Sequence, residues 1–165
     1  MRKIRVGIIT VSDSRSRGER EDKSGEKIRS LVQGIGAEVV EHTVIPDELR
    51  DVQDELVRMV HTVEADLIIT TGGTGLSSRD VTPEATLSVI DKEVPGFVEV
   101  MRADSFAKTP YALLSRAVAG IRRKSLIINL PGSPKGVEEC LGLVLPAIPH
   151  AIEVLKGEAV ECGGQ

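Results

Sequence analysis

Aromatic residues are almost missing from this chain: no tryptophan, one tyrosine and two phenylalanines occur among 165 residues. A core assembled here must come from Val, Ile, Leu and Ala instead of rings, which favours buried strands between helices. Cysteine is equally scarce, with Cys140 in a helical pattern and Cys162 in a Gly-rich stretch, and no spacing between them matches a metal site. Both read as reduced thiols in a cytoplasmic protein. The three histidines, His42, His61 and His150, fall in a strand, a helix and a helix start. They show no ligand spacing, and with no acidic or cysteine partner arranged nearby they read as structural. No Gly-x-Ser-x-Gly elbow occurs, so a Ser–His–Asp hydrolase finds no support.

Long runs of one charge are absent too. The balance of 21 basic against 25 acidic residues gives a net charge of -4, which argues against non-specific binding to nucleic acid or a membrane surface. The longest basic run, Arg122 to Lys124, reads as a solvated turn. Arg2 and Lys3 precede an apolar stretch, but Ile4 to Val11 is short and carries Arg5, so it reads as a first strand and not as a signal peptide. No segment approaches the length needed to span a bilayer.

What is present is an ordinary single-domain length and 41% apolar residues, enough to bury a core without disulfides or metals. One domain over residues 1–160 and a flexible tail at 161–165 are expected. Apolar, β-branched strands are expected at Ile4 to Val11, Ala37 to Val44, Leu67 to Thr71 and Ser125 to Leu130. Helices are expected at Glu26 to Gln33, Leu49 to Val63, Phe97 to Lys108, Val137 to Val144 and Pro149 to Leu155, with another starting at Thr82 as N-cap before Pro83. Pro95 and Gly96 break that last helix. Alternating elements of this kind predict a three-layer α/β/α sandwich around a mostly parallel sheet.

Ligands of such sheets bind beyond the carboxyl ends of the strands, and three of these ends carry unusual loops. Gly72, Gly73, Thr74 and Gly75 follow a strand and precede a helix, so their amides can approach an anion, although a tight turn alone also explains them. The loop has neither P-loop nor dinucleotide-fingerprint spacing. Asp80 follows that loop and Asp47 follows the second strand. Each alone reads as a turn or helix cap. Beside a phosphate, however, two carboxylates repel it unless a cation intervenes, and Mg2+ commonly takes one or two carboxylates plus phosphate oxygens and water. Asn129 to Pro134 adds an amide and a rigid turn, while Ser115 and Arg116 alone read as a helix end with a solvated arginine.

Taken together, these loops carry a resemblance. The segments TVSDS at 10–14, IPDE at 45–48, TTGGTG at 70–75, RDVTPEA at 79–85, PGF at 95–97, LSR at 114–116 and INLPGSP at 128–134 are similar to the molybdopterin adenylyltransferase family. This is the Mog and MoaB group, which includes the molybdopterin-binding domains of gephyrin and of its plant relative. The resemblance implies a molybdopterin-binding-domain fold, a homotrimer, and a nucleotidyltransfer in molybdenum cofactor biosynthesis. In that reaction molybdopterin and Mg-ATP give adenylylated molybdopterin and pyrophosphate, with no tightly bound cofactor. It further implies a downstream molybdenum-insertion protein as recipient of the product.

By position, the resemblance makes Asp47 and Asp80 the catalytic pair and the Mg2+ ligands. It makes Gly72, Gly73, Thr74, Gly75 and Arg79 the nucleotide phosphate site. Thr10, Ser12, Asp13, Ser105, Ser115, Arg116, Asn129, Pro131, Gly132 and Ser133 line the molybdopterin and nucleotide cleft. Two other readings stay open on the same fold: a non-catalytic pterin-binding or scaffold module, and a hydrolase or nucleotide-processing enzyme like the competence-damage relatives. The nucleophile would be the substrate's own phosphate, so the absence of a catalytic histidine is no obstacle.

Overall fold

The unbroken apolar runs of the strands have a direct physical outcome, because successive side chains leave opposite faces of a sheet and both faces must then be covered. The computed structural model describes residues 2–158; the expected tail at 161–165 and Cys162 lie outside the described residues. Six strands form one sheet: β1 (Arg5–Val11), β2 (Glu38–Ile45), β3 (Leu67–Thr71), β4 (Lys92–Glu93), β5 (Ala119–Arg122) and β6 (Ser125–Leu130), in the order β2-β1-β3-β6-β5-β4. β1, β2, β3 and β6 run parallel, while β5 and β4 add an antiparallel edge.

The helices are α1 (Asp13–Ser16), α2 (Lys23–Gln33), α3 (Leu49–His61), α4 (Thr82–Val89), α5 (Pro95–Lys108), α6 (Pro134–Val144) and α7 (Ile148–Lys156). Ile8, Ile69 and Ile128 pack on one face with Ile28 of α2, Met101 of α5, Leu141 of α6 and Ile152 of α7. Ile9, Ile68 and Ile127 pack on the other with Leu56 and Met59 of α3 and Ala85 of α4. These side chains are close to fully buried, and at about 25 cal/mol per Å2 of apolar surface this burial is the main stabilising term. The expected three-layer sandwich is thus the observed one.

Some local expectations need correction. β5 is not evident from sequence, because its four residues are short and unpatterned. It takes Arg122 out of the expected solvated turn: Nη1 donates to the Val89 carbonyl at 2.6 Å and Nε to His61 Nε2 at 3.1 Å. Pro95 does not merely stop a helix; it opens α5 as an N-terminal proline, where its missing N–H costs no intrahelical bond. Thr82 is inside α4, with Val81 at the cap position, and its hydroxyl instead donates to the Gly72 carbonyl at 2.9 Å. His42 does have an acidic partner, since its Nε2 lies 2.9 Å from an Asp22 carboxylate oxygen.

Candidate functional site

From β1 the chain moves to β2 on one side and then to β3 on the other, so the topological switch point lies between β1 and β3. A crevice must open there, because the loops after β1 and β3 diverge in opposite directions. An open cleft of about 430 Å3 occupies this position, lined by Val11 and Ser12 after β1, Asp47 after β2, Gly72, Gly73 and Asp80 after β3, and the 132–134 turn after β6, together with Arg15 and Arg20.

Backbone proximity explains the glycines at the cleft floor. Gly72 has φ +98°, and a Cβ there would come within 2.3 Å of the Val11 carbonyl oxygen. Gly73 has φ +68°, and its Cβ would meet the Thr82 hydroxyl at 2.4 Å and an Asp47 carboxylate oxygen at 3.2 Å. Both positions therefore exclude L side chains, for conformational and for steric reasons. The Thr71 hydroxyl donates to the Pro131 carbonyl at 2.6 Å, which ties the β3 and β6 turns together. Thr74 and Gly75 do not line the cleft. The Thr74 carbonyl accepts the Arg116 amide at 2.9 Å, and at Gly75 a Cβ would lie 2.9 Å from an Asp80 carboxylate oxygen.

Asp47 and Asp80 are brought to the same cleft. The Asp47 carboxylate accepts the Asp13 amide at 2.8 Å, and the Asp13 carboxylate accepts the Asp47 amide at 3.0 Å. Asp80 accepts the Ser77 amide at 3.0 Å. Burial pushes the Asp47 carboxyl above the usual carboxylate range; the Asp13 amide opposes this, and the charges of Asp13 and Asp80 reinforce it. Two carboxylates lining one cleft are a donor set suited to a cation.

A second, larger cavity of about 530 Å3 adjoins the first through Ser133, which lines both. Its walls include Ser105, Ser115, Asn129, Pro131, Met101 and Cys140, and its rim carries Arg102, Lys108 and Lys135. Ser133 caps α6 by accepting the Gly136 amide at 3.0 Å, so this junction is rigidly held. The residues expected to form one cleft are therefore divided between two neighbouring compartments, a charged, glycine-floored one and a larger, more apolar one.

Several expected residues serve the walls more than the cavities. The Thr10 side chain is buried and donates to Asp22 at 2.6 Å. Asn129 is buried with its amide engaged: Nδ2 donates to the hydroxyls of Thr70 and Thr86, and Oδ1 accepts the Val118 amide. Ser12 caps α1 by accepting the Arg15 amide at 3.2 Å, and it still lines the first cleft. Arg79 is half exposed and pairs with Asp13 and Glu48. Arg116 pairs with Glu84 and donates to the carbonyls of Gly75 at 2.8 Å and Asp80 at 3.0 Å. It is a clamp on the loop that carries Asp80.

Arg15, Arg20, Met101, Arg102 and Lys135 line the cavities without having been singled out by sequence. For Arg15 and Arg20 no local signal exists, because a charge in a polar stretch looks the same whether it faces solvent or a cleft.

Proteins of known family share this sequence pattern and this shape. The family profile described as a probable molybdopterin binding domain matches residues 7–150. A molybdopterin adenylyltransferase of Helicobacter pylori (strain J99 / ATCC 700824) is 43% identical over 163 residues, covering 98% of this chain and 93% of the relative. Its counterpart in Escherichia coli (strain K12) is 39% identical over 178 residues, covering 98% and 90%. Among solved structures, the molybdopterin biosynthesis enzyme MoaB of Thermus thermophilus superposes with a TM-score of 0.88 at 49% identity, covering 93% of this chain and 97% of that one.

Proposed function

The chain belongs to the family of probable molybdopterin binding domains, and on that premise we infer that it is a nucleotidyltransferase of molybdenum cofactor biosynthesis that adenylylates molybdopterin. Near full-length relatives bearing the adenylyltransferase name support this activity. ATP and molybdopterin are the substrates.

The observation that carries the mechanism is the convergence of Asp47, Asp80 and the bare Gly72–Gly73 turn at the sheet's switch point, in a cleft that shares Ser133 with a second, larger cavity. The reaction needs a compartment that can take anionic phosphates next to a compartment for a flat organic ring, and the two neighbouring cavities meet that need. A phosphate oxygen of molybdopterin forms the new bond to the α-phosphorus of ATP. The bond from that phosphorus to the bridging oxygen breaks, and pyrophosphate leaves with the electron pair. A phosphomonoester has its second pKa at about 6 and is largely dianionic at neutral pH, so no general base is required. What the chain must contribute is in-line alignment and charge neutralisation.

Mg2+ fits the donor set. Among the described residues no group of three or more His, Cys, Asp or Glu could hold a metal, whereas Mg2+ needs only one or two carboxylates when phosphates and water complete its shell. Asp47 and Asp80 would hold it, and it would offset the charge of the polyphosphate. The side-chain-free glycine turn lets a phosphate come close to the main chain, although the Gly72 N–H itself donates to the Leu130 carbonyl at 3.2 Å, and Arg116 keeps the Asp80 loop in place.

The same reading makes the protein a cytoplasmic homotrimer that passes its product to a molybdenum-insertion protein. No helix among the described residues is long and apolar enough to cross a membrane. Incubation of the purified protein with Mg-ATP and molybdopterin, followed by mass analysis of the pterin, is expected to show one added adenylyl group and an equimolar amount of pyrophosphate. Molybdopterin binding without pyrophosphate release would overturn the catalytic reading and mark a scaffold module.

A further inference from the structure

Two cations line the acidic cleft with no carboxylate of their own. Arg15 and Arg20 both face it, yet neither takes part in an ion pair among the described residues. The neighbouring arginines are all engaged: Arg17 with Glu19, Arg79 with Asp13 and Glu48, and Arg116 with Glu84. Arg15 reaches across from α1, and its contacts are long ones to neutral carbonyls, Nε to Glu21 at 3.4 Å and Nη2 to Gly132 at 3.5 Å. Its guanidinium is thus positioned but not neutralised.

Electrostatics gives these unmatched charges a meaning. A nucleoside triphosphate would enter a cleft that already holds two carboxylates, and one divalent ion can offset little more than those carboxylates. Several negative charges on the polyphosphate would remain, at separations where uncompensated repulsion in a partly desolvated site is large. Guanidinium groups suit this task, because their planar fork matches phosphate oxygens two at a time. Arg79 and Arg116, the arginines to which the family motifs draw attention, are already committed to carboxylates.

We propose that Arg15 and Arg20 are the side chains that grip the polyphosphate of the nucleotide and hold pyrophosphate as it leaves. The proposal rests on the adenylyl-transfer reading of this cleft, and it distinguishes the phosphate tail from the nucleoside end of the ligand. Loss of these charges should weaken ligands that carry the tail and spare ligands that lack it.

Calorimetric titration of the purified protein with Mg-ATP, Mg-pyrophosphate and AMP tests it, on wild type, Arg15→Gln, Arg20→Gln and the double variant. The double variant is expected to bind Mg-ATP and Mg-pyrophosphate at least about tenfold more weakly, with a shallower dependence on salt, while AMP affinity stays within about twofold. Arg20 is exposed, so Arg20→Gln keeps the fold and gives an answer even if Arg15→Gln lowers stability. Unchanged Mg-ATP and Mg-pyrophosphate affinity in the double variant overturns the arginine assignment alone. Equal weakening of AMP and ATP overturns it too, because it marks a structural role. A wild-type protein that binds no Mg-ATP and makes no adenylyl product overturns the functional reading and this proposal together.

Discussion

The amide of Asp13 donates to the carboxylate of Asp47, and the amide of Asp47 donates back to the carboxylate of Asp13, at 2.8 and 3.0 Å. This reciprocal clasp joins the start of α1 to the turn after β2, and so fixes one wall of the switch-point cleft. Arg79 completes it. Its guanidinium, followed by the Asp47 amide, holds the Asp13 carboxyl below its usual range, and the same side chain reaches Glu48 at 2.7 Å.

Arg79→Ala should therefore act on turnover and not on folding. Its ion pairs are at the surface, where such pairs contribute little to stability, but releasing Asp13 loosens the groups that orient Asp47. A urea midpoint near wild type with kcat reduced roughly tenfold or more is expected, the scale for a small misplacement of a reacting group. Wild-type kcat in this variant would show that the clasp holds without its arginine.

Asp80→Asn should leave molybdopterin binding nearly intact, because Asp80 lines the glycine-floored cleft and not the larger cavity. Turnover should fall at least about a hundredfold, the usual loss when an electrostatic contact made in the transition state is removed. Steady-state kinetics beside direct pterin titration checks both halves. A variant that turns over like wild type would remove Asp80 from the mechanism.

Gly72→Ala should destabilise the fold by at least about 2 kcal/mol, since the new Cβ adds a clash to an unfavourable backbone conformation. The clash is with the Val11 carbonyl oxygen, which a Cβ would approach to 2.3 Å, and φ is +98°. Urea denaturation measures it. A loss smaller than about 0.5 kcal/mol would mean that the β1 and β3 ends can separate at little cost.

Asp22 gives a prediction about pH. Burial alone would raise its carboxyl, but the His42 ring, the Thr10 hydroxyl and the Gly25 amide together pull it well below the ordinary 3.8. A depressed folded-state value stabilises the protein above the unfolded value, and that contribution is lost as pH falls below it toward the folded value. Asp22→Asn should cost about 1–3 kcal/mol at neutral pH, and the gap from wild type should narrow once pH drops below 3.8. Parallel urea titrations from roughly pH 7 to 3 test this; a gap that stays constant throughout would contradict it.

The parallel part of the sheet was legible because β1, β3 and β6 are short, mostly apolar runs, and α3 was legible because Val52, Leu56, Met59 and Val60 recur at helical spacing and are all buried. β5 and β4 were not, since strands of four and two residues carry too little pattern and exist only through pairing with β6 and with each other. The acid pair was visible as residue types in loops. That Thr10 serves the Asp22–His42 network, and that Arg116 clamps main-chain carbonyls, depended on contacts between residues far apart in the chain.

By itself the sequence determined the layers, the strand ends where chemistry could gather and the identity of the two acids, because periodicity and turn chemistry act over a few neighbouring residues. Tertiary structure alone decided that the candidate residues fall into two compartments that share Ser133 and which arginines are already neutralised. Those facts depend on strand order and on pairings between distant parts of the chain, such as Arg79 with Asp13 at a separation of 66, and no local pattern encodes them.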